Sequence, residues 1–167
     1  MATYPELNGK TVVITGGSRG IGAQTAHAFV AQGAQVCVVG RDEQALADVV
    51  ARITESGGIA ISETADVTDA AALEHLRRQT ESRLGPVDVP AAFAGGQGFP
   101  VPTAELSKQR WRQVIDADLT STFLTIQAFL PRMLERAGRA ASSPCPRPPG
   151  ASPARPTSPT ASRTPAW

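Results

Sequence analysis

Tyrosine occurs once in this chain of 167 residues, as Tyr4, and lysine twice, as Lys10 and Lys108. Cysteine is equally scarce: Cys37 and Cys145 make neither a disulfide framework nor a metal-ligand set. The two histidines, His27 and His75, fall on separate expected helices and read as helix-surface residues rather than as metal ligands. No apolar run approaches the roughly 20 residues that a membrane-spanning helix requires. Residues 1–8 contain no apolar core of a secretory leader. Charges of both signs nearly cancel, at net +1, which argues against nucleic acid or a membrane as partner. A soluble, cytoplasmic protein is the expectation.

Acidic residues and Val, Ile, Leu, Met and Phe are all missing from residues 142–167, where eight of the 14 prolines lie. Such a segment cannot bury enough apolar area to offset ordering its backbone, at about 1–2 kcal/mol per residue. The reading is a disordered Pro/Ser/Arg-rich tail over residues 140–167, partly polyproline II. It has the composition of an arbitrary reading frame through GC-rich DNA, so a shifted frame beyond Arg139 is one expectation. Reading the gene in its other two frames tests it. The tail also holds PxxP segments at Pro146-Arg147-Pro148-Pro149, Pro153-Ala154-Arg155-Pro156 and Pro156-Thr157-Ser158-Pro159, the form that aromatic grooves bind, although proline-rich composition generates them by chance.

Residues 1–139 are different. Apolar, β-branched runs at 11–15, 35–39, 59–64 and 87–94 read as strands. Between them, helical spacing covers 21–32, 43–56 and 70–84. Ile21, Thr25, Phe29 and Val30 fall on one side of the first helix, Leu46, Val49, Val50 and Ile53 point inward from the second, and Leu73, Leu76, Thr80 and Leu84 recur at helical spacing in the third. Asp42 and Asp69 stand where N-caps belong, and Gly33, Gly57-Gly58 and Gly85-Pro86 where helices stop. Residues 103–137 read as two helices meeting near 111–116. Strands alternating with helices of this length give a parallel sheet covered on both faces, an α/β doubly wound fold with the first strand central. Only about four strands are visible, so the sheet is incomplete.

The first strand runs into Thr15-Gly16-Gly17-Ser18-Arg19-Gly20-Ile21-Gly22 and then a helix. Glycines there let the backbone turn sharply and approach a pyrophosphate, and the helix N-terminus aims unpaired amides at it. Inside a complete βαβ unit this is a dinucleotide-binding signature. A carboxylate at the end of the second strand would grip the ribose of NAD, whereas an arginine suits the 2′-phosphate of NADP. Gly40-Arg41 stands at that place, with Arg19 as a second cation, so NADP is favoured over NAD. Asp42 reads as a helix cap, with a turn inward toward the ribose as the alternative. Asp66-Val67 after the third strand offers a carboxylate and an amide to an adenine edge, or else a turn-initiating aspartate.

Over roughly residues 7–137 the chain resembles the short-chain dehydrogenase/reductase family. The resemblance rests on Gly9-Lys10, the glycine loop from Thr15 to Gly22, Asp66-Val67, Gly85-Pro86-Val87-Asp88, and the stretch from Trp111 to Phe123 with its Asp118-Leu119-Thr120. It implies a Rossmann-like fold, hydride transfer between NAD(P) and the carbon of an alcohol or ketone, and cofactor contacts at Gly16, Ser18, Arg19, Gly20, Ile21, Gly22, Arg41, Asp66, Val67, Ala94 and Gly95. It also implies pairing of subunits across the helix at 119–134, which is apolar on more than one side. Three departures stand out. Ala92-Phe93-Ala94-Gly95 replaces the family's Asn-Asn-Ala-Gly. Asp118 occupies the place of an asparagine that anchors a proton-relay water, and can accept from that water but not donate as an amide does. No Tyr-x-x-x-Lys, the family's general acid/base and its partner, exists in the chain. Ser142 or Ser143 near the family's serine position would have no tyrosine to work with. Pro90, inside the fourth expected strand, should confine that strand to an edge or a bulge. These residues imply an oxidoreductase scaffold without its catalytic pair, hence a dinucleotide-binding remnant or a partner-binding protein.

Overall fold

The computed structural model describes residues 3–96 and 98–142, the last four by backbone alone. The PxxP segments, Cys145, Ser143 and almost all of the expected tail lie outside the described residues.

The elements follow in the expected order: β1 (Thr11–Thr15), α1 (Gly20–Val30), β2 (Gln35–Gly40), α2 (Glu43–Glu55), β3 (Ile59–Thr64), α3 (Ala70–Leu84), β4 (Val89–Ala92), α4 (Lys108–Ile115) and α5 (Ser121–Ser142). The four strands form one parallel sheet in the order β3-β2-β1-β4. β1 therefore has a neighbour on each side, and all five of its residues are buried. β4 is at the edge, the position that tolerates a proline, and its Pro90 sits opposite Val13.

The strand alternation divides the core in two. Val12, Ile14, Val36 and Val38 point to the face covered by α1 and α2, where they meet Ala23, Ala26, Leu46, Val49 and Ile53. Val13, Cys37 and Val39 point to the other face, against Leu73, Leu76 and Leu84 of α3 and Phe129 of α5. The first two crossover helices thus share one face and the next lies on the other, which makes the sheet doubly wound.

Helix ends carry the expected chemistry. The Asp42 carboxylate accepts the Ala45 amide at 3.1 Å and Asp69 accepts the Ala71 amide at 2.8 Å. The Ser107 hydroxyl does the same for the Arg110 amide. At the end of the sheet away from the glycine loop, Asp88 accepts the Thr11 amide at 3.1 Å and lies within 3.6 Å of Lys10 and 3.5 Å of Arg136. It thereby ties the start of β1, the approach to β4 and the far end of α5.

Three expectations need correction. Ile21 does not face the core: it is 74% exposed, and the small residues Gly22, Ala23 and Ala26 face the sheet instead, which lets α1 approach β1 closely. The fourth strand spans 89–92 rather than 87–94, because Val87 and Asp88 belong to the turn. The long helical stretch does not stop at 137, although its junction falls at Asp116, the end of the expected interval. A single wide turn with π-type hydrogen bonding, Asp116–Thr120, joins α4 to α5, and the helix continues to Ser142, past the boundary drawn at Arg139.

Cys37 is fully buried in β2, and the loss of solvation pushes its thiol up to about 12, against the smaller opposite effect of the Thr80 hydroxyl that donates to its sulfur at 3.4 Å. The thiolate is the reactive form. Peptide mapping after iodoacetamide treatment at pH 8 is expected to find Cys37 unmodified in the native protein and modified once urea unfolds it. Rapid native labelling would contradict the buried strand.

Candidate functional site

The loops that follow the carboxyl ends of all four strands meet at one end of the sheet and enclose a cleft of about 620 Å³. It lies beside β1, where the chain reverses direction through the sheet. In open α/β sheets that is where ligands bind.

One wall is the glycine loop. Gly16 has φ +68, and a side chain there would place its Cβ 2.6 Å from the Phe93 carbonyl oxygen, so the backbones after β1 and β4 approach as only glycine permits. At Gly22 a Cβ would sit 2.3 Å from the Gly16 carbonyl oxygen. The bare Cα is what lets the first turn of α1 close over the loop. That turn has no preceding carbonyls for its leading amides, which therefore point their N–H groups and the helix dipole into the space above the loop. A cradle shaped by two glycine contacts and floored by amides fits a pyrophosphate.

The charged residues stand to one side of this cradle. Arg19 and Asp42 form an ion pair at 2.5 Å, while the other oxygen of Asp42 caps α2. Arg41, adjacent in sequence, also lines the cleft, and among the described residues it makes no ion pair with a carboxylate. Across the cleft, Asp66 accepts the Thr68 amide at 3.0 Å and the Thr68 hydroxyl at 2.7 Å. Those two hydrogen bonds, and more weakly the Arg41 charge, hold its carboxyl below the usual carboxylate range. The turn-initiating reading of Asp66 thus describes its contacts, and the residue still faces the cleft.

Ten of the eleven residues expected to touch a cofactor line this one cleft: Gly16, Ser18, Arg19, Ile21, Gly22, Arg41, Asp66, Val67, Ala94 and Gly95. Gly20 does not. It opens instead on a shallow depression along α1 with Ile21, Gln24, Thr25 and Ala28. The sequence reading names Gly40 beside Arg41 and sets Asp42 in the cleft only as the alternative to a helix cap; it does not pick out Ala65, Thr68, Phe93, Gly96 or Ala117 as cleft residues. Each is next to a residue that it did pick out; the signal is position at a strand end, except for Ala117, which lies in the turn between α4 and α5.

Asp118 sits in the wide turn before α5 and does not line the cleft. Its Oδ1 accepts the Gly96 amide at 2.6 Å, and a Cβ on Gly95 would meet the same oxygen at 2.6 Å. Asp118 therefore fastens the loop after β4 to the start of α5. Among the described residues, no group of three or more His, Cys, Asp or Glu is placed to hold a metal ion. No described helix is long and apolar enough to cross a membrane.

The family model described as short chain dehydrogenase matches residues 10–141. A short chain dehydrogenase of Pseudocercospora fijiensis is 35% identical over 132 residues, covering 78% of this chain and 43% of that protein. The 3beta-hydroxysteroid dehydrogenase 1 of Eggerthella lenta is 35% identical over 136 residues, 80% of this chain and 51% of that one. Among solved structures, a variant of actinorhodin polyketide ketoreductase with NADPH superposes with a TM-score of 0.72 at 31% identity, over 81% of this chain and 51% of that one. The chain spans about half the length of the curated relatives it matches.

Proposed function

This chain belongs to the short chain dehydrogenase family, and from that premise we propose that it holds NADP(H) in the cleft at the strand ends, and that these 167 residues do not transfer hydride. The supporting observation is the convergence of the glycine loop, Arg19, Arg41, Asp66-Val67 and Ala94-Gly95 on a single cleft. The residues fit the group. Gly16, Ser18 and the leading amides of α1 hold the pyrophosphate. Arg41 and Arg19 offer positive charge to a 2′-phosphate, which favours NADP(H) over NAD(H). Asp66 and the Val67 amide offer an acceptor and a donor to the adenine, and Ala94-Gly95 form a small-residue wall against the flat nicotinamide end.

When bound, the nicotinamide supplies or accepts the hydride on an alcohol or ketone carbon. That step also requires a proton at the substrate oxygen, moved by a group with an appropriate pKa within hydrogen-bond reach. In this chain the sole tyrosine, Tyr4, precedes β1, and no Tyr-x-x-x-Lys is present. Asp118 is already an acceptor for Gly96. Binding without turnover is the consequence.

Residues 1–139 act as the nucleotide-binding unit and residues 140–167 as an appendage. The protein is cytoplasmic and takes neither nucleic acid nor membrane. A second copy packs across the helix at 119–134, where Leu119, Phe123, Ile126, Leu130 and Leu134 present an exposed apolar stripe. Titration with NADPH, followed by the rise in its fluorescence, is expected to give saturable binding. Absorbance at 340 nm should then stay constant when assorted ketones are added. Absence of saturation would refute the binding half of the proposal, and steady ketone-dependent oxidation of NADPH the other.

A further inference from the structure

The two sides of the cleft differ in chemistry. The glycine loop after β1 lies between them, with the turns after β2 and β3 on one side and the turn after β4 on the other, as the strand order requires. Every lining residue with a polar side chain, Ser18, Arg19, Arg41, Asp42, Asp66 and Thr68, comes from the turns after β1, β2 and β3. The β4 side and the wide turn before α5 contribute Phe93, Ala94, Gly95, Gly96 and Ala117, none of which has a polar side-chain atom. The backbone on that side is also committed. The Phe93 amide donates to the Thr15 carbonyl oxygen at 3.2 Å, the Ala94 amide to the Thr15 hydroxyl at 3.3 Å and the Gly96 amide to Asp118 Oδ1 at 2.6 Å.

We propose that the cleft recognises only the adenosine diphosphate portion of its ligand, so that ADP-ribose compounds lacking nicotinamide bind this chain as tightly as the intact dinucleotides. The inference rests on the cleft holding a dinucleotide by its pyrophosphate, with the adenine toward Asp66 and Val67. A dinucleotide seated in that way extends its two arms in opposite directions from the glycine loop. The adenosine arm crosses charged and hydroxyl groups. The nicotinamide arm crosses small or apolar residues, and the amides at 93, 94 and 96 already have acceptors there. A carboxamide brought to that side gives up water without gaining a protein hydrogen bond from them, which offsets what its ring gains by contact. Ordering the second ribose opposes binding further. In the doubly wound strand order the second mononucleotide half is built on β4 and the strands beyond it, and among the described residues β4 is the last strand of the sheet.

The test is calorimetric titration of the full chain with NADP⁺, NADPH, 2′-phospho-ADP-ribose and nicotinamide mononucleotide. NADP⁺ and 2′-phospho-ADP-ribose carry the same 2′-phosphate, so their affinity ratio reports the nicotinamide arm alone. The two are expected to agree within about threefold, and NADPH with both, whereas one well-made hydrogen bond to the nicotinamide would separate them by about fivefold. Nicotinamide mononucleotide should give no heat of binding. A preference for NADP⁺ beyond that threshold overturns the inference while leaving the assignment of the cleft intact. Saturable binding of nicotinamide mononucleotide overturns it as well. If none of the four ligands binds, the cleft does not hold a dinucleotide, and this inference falls with that reading.

Discussion

Gly22→Val is expected to weaken NADP(H) binding on the order of a hundredfold or more, equivalent to about 2.7 kcal/mol. The reason is steric and local. A Cβ at this position would lie 2.3 Å from the Gly16 oxygen, 2.8 Å from the Gly16 carbonyl carbon and 3.1 Å from the Gly17 Cα. All three are backbone atoms, so no rotamer change relieves the clash; the loop must lift off the helix. Lifting it separates the glycine turn from the amides of α1, the two halves of the phosphate cradle. The core beneath is made by Val12, Ile14, Val36 and Val38 against α1 and α2, and should keep much of its helical circular dichroism. Gly138→Ala is the matched control. It lies in α5, a Cβ there meets nothing within 4 Å, and alanine is the better helix former by about 1 kcal/mol. Binding by Gly138→Ala should equal that of the parent. Affinity of Gly22→Val within threefold of the parent would show that the loop does not hold the phosphate.

The second large effect is on stability. Phe129 is 1% exposed and is the α5 residue buried with Val13, Leu76 and Val87 on the second face of the sheet. Phe129→Ala should cost about 3–5 kcal/mol through lost transfer energy and the cavity left behind. Domain stabilities are about 5–15 kcal/mol in total, so this variant should be at or near the edge of folding. Phe123, six residues earlier on the same helix and on another side of it, is 58% exposed, and Phe123→Ala should change stability by no more than about 0.5 kcal/mol. Urea denaturation of the three proteins checks this. Equal midpoints for the two variants would mean that α5 does not pack through its Phe129 side.

The contrast between those phenylalanines shows how far the sequence could be read. Residues at helical spacing on α2 and α3 pointed inward as expected, because Leu46, Val49, Ile53, Leu73 and Leu76 each have only one apolar side to their helix. α1 broke the rule at Ile21. Its close approach to β1 selects glycine and alanine for the buried side, so size rather than hydropathy decides which residues face the sheet. On α5 apolar residues occur nearly all round, and spacing alone could not say that Phe129 is buried while Ile126 and Leu130 are open. The wide turn at 116–120 was equally silent, since no residue type marks a change of hydrogen-bond register.

At the site, the sequence located most of the lining. A strand, a glycine turn and a helix start have fixed relative positions once the sheet is parallel, and the turns after β2, β3 and β4 must open on the same end. Pairings between those turns were not legible. That Asp42 would cap α2 with one oxygen follows from its place before the helix. That the other would reach Arg19, 23 residues earlier, depends on the spacing of β1 and β2 and on the path of the glycine loop. The attachment of Asp118 to Gly96 is likewise a contact across 22 residues between two irregular segments.

The glycine loop and the start of α1 form the phosphate cradle, and amide chemical shifts report on it directly. Addition of NADP⁺ to the ¹⁵N-labelled chain is expected to move the resonances of Gly17, Ser18, Ile21, Gly22 and Arg41 most, and to leave those of Lys10, Asp88 and Arg136 at the opposite end of the sheet in place. Shifts centred on any other part of the molecule, or no shifts at saturating nucleotide, would contradict it.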